Sequence, residues 1–190
     1  SIGDRLIIGT TTGVYIYNFA HHQNKMLIKS LSVQSSFFDN KTHYLWLGTF
    51  HEGVKVFDIH DMRLVHMPAL AKVPKTPVRS IELMNANTML LGIDGAGIYA
   101  ASRDGADSWL LFDSDDKTGS ALHGNGIYDI CKDRFGDIWI CSYSGGIDMA
   151  IPIGKVMEII QHEYLNQQSL LNNSVNDVLQ LPDGNVWYAT

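Results

Sequence analysis

KDRFGDIWICSYSGGIDM, residues 132–149, is the stretch from which the fold can be read. It breaks into a turn at 133–136, an apolar strand at 138–141, a loop of small residues ending in Gly145 and Gly146, and a second strand opening with Ile147. Ile138 and Ile140 share one face of the first strand and Trp139 takes the other, because side chains alternate along a strand. Both faces are apolar and both need covering, which implies a sheet packed between other sheets.

The same pattern recurs on either side. RLIIGTTTGVYIY (5–17), HYLWLGTFHEGVKVF (43–57), TMLLGIDGAGIYA (88–100) and NVWYAT (185–190) repeat it. The small residue closing the first strand is Gly9, Gly48, Gly92, Cys141 and Ala189 in turn, with spacings of 39, 44, 49 and 48 residues. An inner element precedes the later copies at a near-fixed offset: Val33 with Phe37, Val78 with Ile81, Ile127 with Ile130, Val175 with Val178. Each unit reads as an inner strand, a turn, the tryptophan strand, a glycine loop and two outer strands. Four strands in about 40 to 50 residues make a propeller blade. The expected fold class is all-β: a β-propeller fragment of about four four-stranded antiparallel blades, incomplete at both ends.

Residues 1–31 then form a partial blade lacking its inner strand, with strands at 6–9, 14–18 and 26–31 and HHQNK (21–25) as a hairpin tip. Residues 32–76 form a complete blade ending in VPKTP, whose prolines suit a connection that needs no ladder donors. Residues 77–121 form the next, and DSDDKTGSALHGNG (113–126) is a polar crossing expected on the surface. Residues 122–170 form another, and 171–190 supply two strands of a last one, with Pro182, Asp183 and Gly184 as its turn. The second-strand position occurs at both ends, so closure of a ring by strand exchange leaves one copy over.

Composition narrows the function classes. The chain has 190 residues, 45% hydrophobic and 18% charged, enough for a folded core. Its net charge of −6 and 14 scattered basic residues argue against nucleic acid or an anionic membrane surface as partner. No apolar run approaches the roughly 18 residues of a membrane span, and no signal peptide opens the chain. It reads as a piece of something longer. Partial blades expose apolar faces, so a homo-oligomer is expected.

SALHGNGIYDICKDRFGDIWICSYSGGIDM (120–149) and SLLNNSVNDVLQLPDGNVWYAT (169–190) resemble the two-component-regulator propeller repeat. The shared features are a Ser-Leu and Asn-rich lead-in, an inner strand ending near an acidic residue, an Asp-x-x-Gly or similar turn, then Trp-Ile-Gly-Thr and Gly-Gly-Leu. Cys141 and Ser142 replace the glycine and threonine, and the first blade lacks the tryptophan. Single blades also pass for quinoprotein or NHL-type repeats, whereas the WD40 and kelch patterns do not fit. The resemblance implies the periplasmic sensor of a hybrid two-component histidine kinase, chiefly of Bacteroidetes, held in the inner membrane by its parent chain. On that basis this segment is not an enzyme; it binds a small ligand such as an oligosaccharide and signals across the membrane. A propeller polysaccharide lyase or glycoside hydrolase, and a non-binding scaffold, are the alternatives.

No motif in the chain carries catalysis by itself. Trp46, Trp139 and Trp187 recur at one repeat position and are expected to pack between blades, Trp139 buried. GIDGAG (92–97) lacks the spacing and helix of a nucleotide fingerprint. DSDD (113–116) lacks the glycine and distal glutamate of an EF-hand loop, and the eight histidines form no metal-ligand spacing. No nucleophile, base and orienter are arranged locally. No catalytic residue, cofactor or metal is therefore expected. Cys131 and Cys141 are expected on neighbouring strands, out of register by about two residues and so free thiols.

Loops between second and third strands open on one face, with the crossings between blades. They carry Thr11 and Thr12; Phe50, His51 and Glu52; Ile93 and Asp94; Tyr143 and Ser144. Arg79, Tyr128, Asp129, Asn176 and Asp177 lie on inner strands near the channel. Phe50, His51, Glu52, Asp94, Tyr143, Ser144, Arg79 and Tyr128 are the candidate ligand-binding residues, mixing aromatic faces with hydrogen-bonding groups.

Overall fold

The structure, a computed structural model, describes residues 3–115, 121–151 and 156–190, with the backbone alone for 156–158. Five separate antiparallel sheets follow one another along the chain. Blade 1 has β1 (Arg5–Gly9), β2 (Gly13–Asn18) and β3 (Gln23–Lys29). Blade 2 has β4 (Val33–Asp39), β5 (Tyr44–Thr49), β6 (Val54–Asp58) and β7 (Arg63–Val65). Blade 3 has β8 (Val78–Asn85), β9 (Thr88–Ile93), β10 (Gly97–Ser102) and β11 (Ser108–Phe112). Blade 4 has β12 (Ile127–Lys132), β13 (Ile138–Ser142), β14 (Gly146–Ile151) and β15 (Val156–Ile160). β16 (Asp177–Gln180) and β17 (Val186–Ala189) are the two strands of blade 5. This is the propeller arrangement expected from the repeat, and β1 and β17 do not pair with each other.

Alternation along the strands sends opposite faces of each sheet into different cores. Leu45, Leu47 and Phe57 of blade 2 pack on Val14 and Leu31, while Trp46, Val54 and Val56 pack on Val78, Ile81 and Met89 of blade 3. Leu90 and Ile98 meet Ile127, Ile130, Ile138 and Ile140 of blade 4. Cys141 and Ile147 meet Val175 and Val178 of blade 5. Burial of such side chains at about 25 cal/mol per Å² is what holds blade to blade.

In blades 3 and 4 the third strand opens on a glycine because the chain at the end of the fourth comes close. At Gly146, with φ of +81°, a Cβ would stand 2.7 Å from the Ile160 carbonyl oxygen. Gly97 meets the Phe112 carbonyl in the same way. Only a residue without a side chain fits there.

Four details depart from expectation. The first hairpin tip is shorter than HHQNK, because Gln23, Asn24 and Lys25 already pair with Asn18, Tyr17 and Ile16 in β3. A 3₁₀ turn, Pro68–Lys72, lies between β7 and the proline connection and buries Ala69 and Leu70. The polar crossing at 113–126 is anchored by Leu122, which is buried against blades 3 and 4; its residues 116–120, including Asp116 of the DSDD run, lie outside the described residues. Trp139 is half-buried rather than buried, and Trp187 is 65% exposed. Their faces look towards a two-strand blade and towards no described strand, respectively.

Candidate functional site

Three inner strands carry a β-bulge at the same place. Pairing skips one residue between Val33 and Ser35, between Val78 and Ser80, and between Ile127 and Asp129. The skipped residues are Gln34, Arg79 and Tyr128. A bulge residue is released from the ladder and its side chain is re-aimed. In blades 3 and 4 this brings the Arg79 guanidinium over the Tyr128 ring, 4.7 Å from the centroid.

Two loops complete the cluster. Arg79 Nε and Nη2 both donate to Asp94 Oδ2, at 3.0 and 2.8 Å. The Tyr143 ring lies 5.8 Å from that of Tyr128, tilted by 34°. Asp94 is placed by its amide bond to the Pro77 carbonyl, and Tyr143 by its amide bond to the Gly126 carbonyl. Gly126 also bridges Asp94 in a short antiparallel contact, so one glycine ties both loops together. The Arg79 and Asp94 side chains are about one-third exposed and Tyr143 is 59% exposed, which leaves the cluster open to solvent.

Arg79, Asp94, Tyr128 and Tyr143 thus form one continuous group from blades 3 and 4. Ser144 sits beside Tyr143 with φ of +61°, and none of the hydrogen bonds among the described residues joins its side chain to the cluster. Phe50, His51 and Glu52 stand apart. The Phe50 and His51 rings meet edge-on at 4.4 Å, and Glu52 pairs with Lys55 at 3.1 Å. None of the hydrogen bonds, ion pairs or ring contacts among the described residues joins them to Arg79. His51 and Glu52 border a cleft of about 470 Å³ between blades 1 and 2, lined also by Thr11, Thr12 and Lys29.

Sequence patterns gave no sign of one pair that supports the cluster. His123 donates through Nδ1 to Asp148 Oδ1 at 2.9 Å, and its amide donates to Asp148 Oδ2 at 3.1 Å. Burial pushes the Asp148 carboxyl above its ordinary value. The pair fixes the crossing just before Gly126, and the two residues are 25 apart in the chain, too far for a local motif. Cys131 and Cys141 are free thiols, paired in the ladder with Trp139 and Asp129, the register expected of them. Among the described residues no three His, Cys, Asp or Glu side chains are placed to hold a metal ion.

Chemically, the cluster offers an aromatic platform beside a carboxylate and a guanidinium. Asp94 Oδ1 and Arg79 Nη1 make no hydrogen bond among the described residues, so an acceptor and a donor lie next to the exposed tyrosine face. That pairing matches a ligand with adjacent hydroxyls on a ring whose other face is apolar.

Residues 121–144 match the family described as two component regulator propeller. Among solved structures, the chain is similar to the extracellular domain of the putative hybrid two component system BT4673 from B. thetaiotaomicron, with a TM-score of 0.78 and 23% identity over 97% of this chain and 23% of that one. It is similar to the corresponding domain of BT3049 from the same organism, with a TM-score of 0.66 and 17% identity over 98% of this chain and 31% of that one. The computationally designed Ika8 protein also matches, with a TM-score of 0.62 and 14% identity over 97% of this chain and 52% of that one. The chain therefore spans about a quarter to a third of the two bacterial domains. No curated protein matches it. These likenesses show the propeller fold, and the resemblance to two-component-regulator propellers stands.

Proposed function

We propose that this chain is a ligand-sensing segment of the extracytoplasmic, periplasmic part of a hybrid two-component sensor histidine kinase, and that its ligand is a glycan fragment. The observation that carries the reading is the Arg79, Asp94, Tyr128 and Tyr143 cluster, open on the face where loops and crossings converge. A sugar ring stacks on Tyr143 while neighbouring hydroxyls donate to Asp94 and accept from Arg79. The cluster holds no nucleophile poised beside a base, so the segment binds and breaks no bond; kinase activity belongs to the parent chain. Membrane attachment lies there too, and ligand binding that discriminates between two arrangements of a homo-oligomer supplies the signal.

The test is calorimetric titration of a panel of neutral and acidic oligosaccharides into the full extracellular domain, repeated with Tyr143→Ala and Asp94→Ala. Each substitution is expected to weaken binding about tenfold or more, close to 1.4 kcal/mol. Unchanged affinity in both removes this cluster as the site. Assay of the same mixtures for cleavage products addresses the lyase or hydrolase alternative, and turnover there replaces the sensor reading with the enzymatic one.

A further inference from the structure

The inner-strand residue paired with the small residue of each second strand is Ser35, Ser80, Asp129 and Asp177 in consecutive blades. From the first three, the side chain reaches the next inner strand. Ser35 Oγ donates to the Val78 carbonyl at 2.8 Å. Ser80 Oγ donates to Asp129 Oδ1 at 2.8 Å and accepts from the Ile130 amide at 3.0 Å. Asp129 Oδ2 then faces the Val178 amide at 3.4 Å, and the same amide lies 2.9 Å from Asp177 Oδ1. At this joint two carboxyl groups converge on one N–H, with Asp177 in hydrogen-bonding reach of Asp129.

Two carboxylates so placed repel each other unless one keeps its proton. Among the described residues no cation offsets them. β12 packs on β8, β9, β13 and β16. The titratable and charged groups of those strands are Arg79 and Glu82 on β8, Cys141 on β13 and Asp177 on β16, with none on β9. β12 itself adds Tyr128, Cys131 and Lys132. Arg79 is taken by Asp94 and Tyr128, and Lys132 donates to the Met84 carbonyl. Burial pushes both thiols up, so they stay neutral, and Glu82 adds only negative charge when ionised.

We propose that Asp129 and Asp177 share one proton in a carboxyl–carboxylate clasp, and that loss of this proton loosens the last strand pair from blade 4. Asp129 donates the shared proton to Asp177, and on deprotonation the proton passes to water and leaves two charges facing one amide. Burial first, and then the Asp177 carboxyl, push Asp129 up from 3.8 to about 6. The folded chain therefore keeps a proton that the unfolded chain releases in that interval. The clasp contributes fully below 3.8 and its contribution is lost as pH rises through about 6.

Hydrogen exchange at the Val178 amide, corrected for its intrinsic pH dependence, reads the clasp directly. Between pH 5 and 8 the protection factor is expected to fall about tenfold, part of the roughly hundredfold that a rise from 3.8 to about 6 allows, since Asp129 is only half-buried. In Asp129→Asn, where no proton is lost, protection stays flat. Asp177→Asn sits at an exposed position and serves even where Asp129→Asn fails to fold; it makes the profile shallower over this range, because Asp129 then loses the push of the second carboxyl and keeps only that of burial. A flat profile in the unsubstituted chain overturns the proposal, as does a fall of the same size in either variant.

Discussion

Blades 2 and 3 and blades 4 and 5 are joined through the same repeat positions, and they complete the joint differently. Trp46 of β5 and Trp139 of β13 occupy one position, each facing the following blade. Trp46 is fully buried against Val78, Ile81 and Met89, behind a four-stranded sheet. Trp139 is half-buried, because blade 5 sets only two strands before it. The carboxylate that ends the inner strand, Asp39 in one blade and Asp133 in the other, also changes partner. Asp133 Oδ2 accepts the Trp139 indole N–H at 3.1 Å, and its other oxygen accepts the amides of Phe135 and Asp137. Asp39 instead accepts Arg103 from blade 3, together with Thr42 and the Lys41 amide. The Trp46 indole N–H is left buried without a partner among the described residues. A repeat keeps the place of a group, then, while the neighbouring blade decides what that group does.

The sharpest test of this contrast is Trp46→Ala, expected to cost about 3 to 5 kcal/mol in denaturant unfolding, as removal of a large aromatic from a closed core does. A loss below about 1 kcal/mol would mean that the joint between blades 2 and 3 is not where stability resides.

Arg103→Ala comes next, at about 3 kcal/mol near pH 7, because it strands a buried carboxylate. Burial pushes Asp39 up, but hydrogen bonds from Arg103, Thr42 and the Lys41 amide outweigh it and hold the carboxyl below its usual range. A depressed carboxyl contributes stability above its unfolded value of 3.8, and that contribution is lost as pH falls through the lower folded value. The melting temperatures of parent and variant should therefore differ by a steady amount from pH 7 to about 4 and draw together only as pH falls below 3.8. Curves that stay parallel below 3.8 would show that Arg103 acts through packing, not through the Asp39 charge.

Trp139→Ala is expected to cost about 1 to 2 kcal/mol, below the range for a fully buried aromatic, since only part of the ring is covered. A cost equal to that of Trp46→Ala would show that two strands cover a tryptophan as well as four. Trp187→Ala, on the uncovered face of β17, should change stability by no more than about 0.5 kcal/mol in the same unfolding experiment. A larger loss would reveal that something covers that face in solution.

Much of the cluster is legible in the sequence. Arg79, Asp94, Tyr128 and Tyr143 fall on the expected inner strands and loops, and the structure brings those four into contact. What the repeat alone does not disclose is the bulge that frees Arg79 and Tyr128, since a skipped residue leaves the alternation around it almost unchanged. Nor does it separate Phe50, His51 and Glu52, which lie on the equivalent loop of another blade, where Glu52 pairs with Lys55 and both His51 and Glu52 line the neighbouring cleft. HHQNK reads as a longer hairpin tip than the structure has because Gln23, Asn24 and Lys25 are polar, although a solvent-facing outermost strand accepts polar residues freely.

By itself the sequence determined the strand order, the blade period and the positions of the small residues, because these depend on alternation and on steric limits that act within a few residues. Tertiary structure alone decided that Arg103 takes Asp39, that His123 takes Asp148 and that Asp129 meets Asp177, pairs separated by 64, 25 and 48 residues. It also decided how deeply each tryptophan is buried. Those outcomes depend on which surface the next blade presents, and burial and electrostatics are properties of the assembled neighbours, not of the strand that carries the residue.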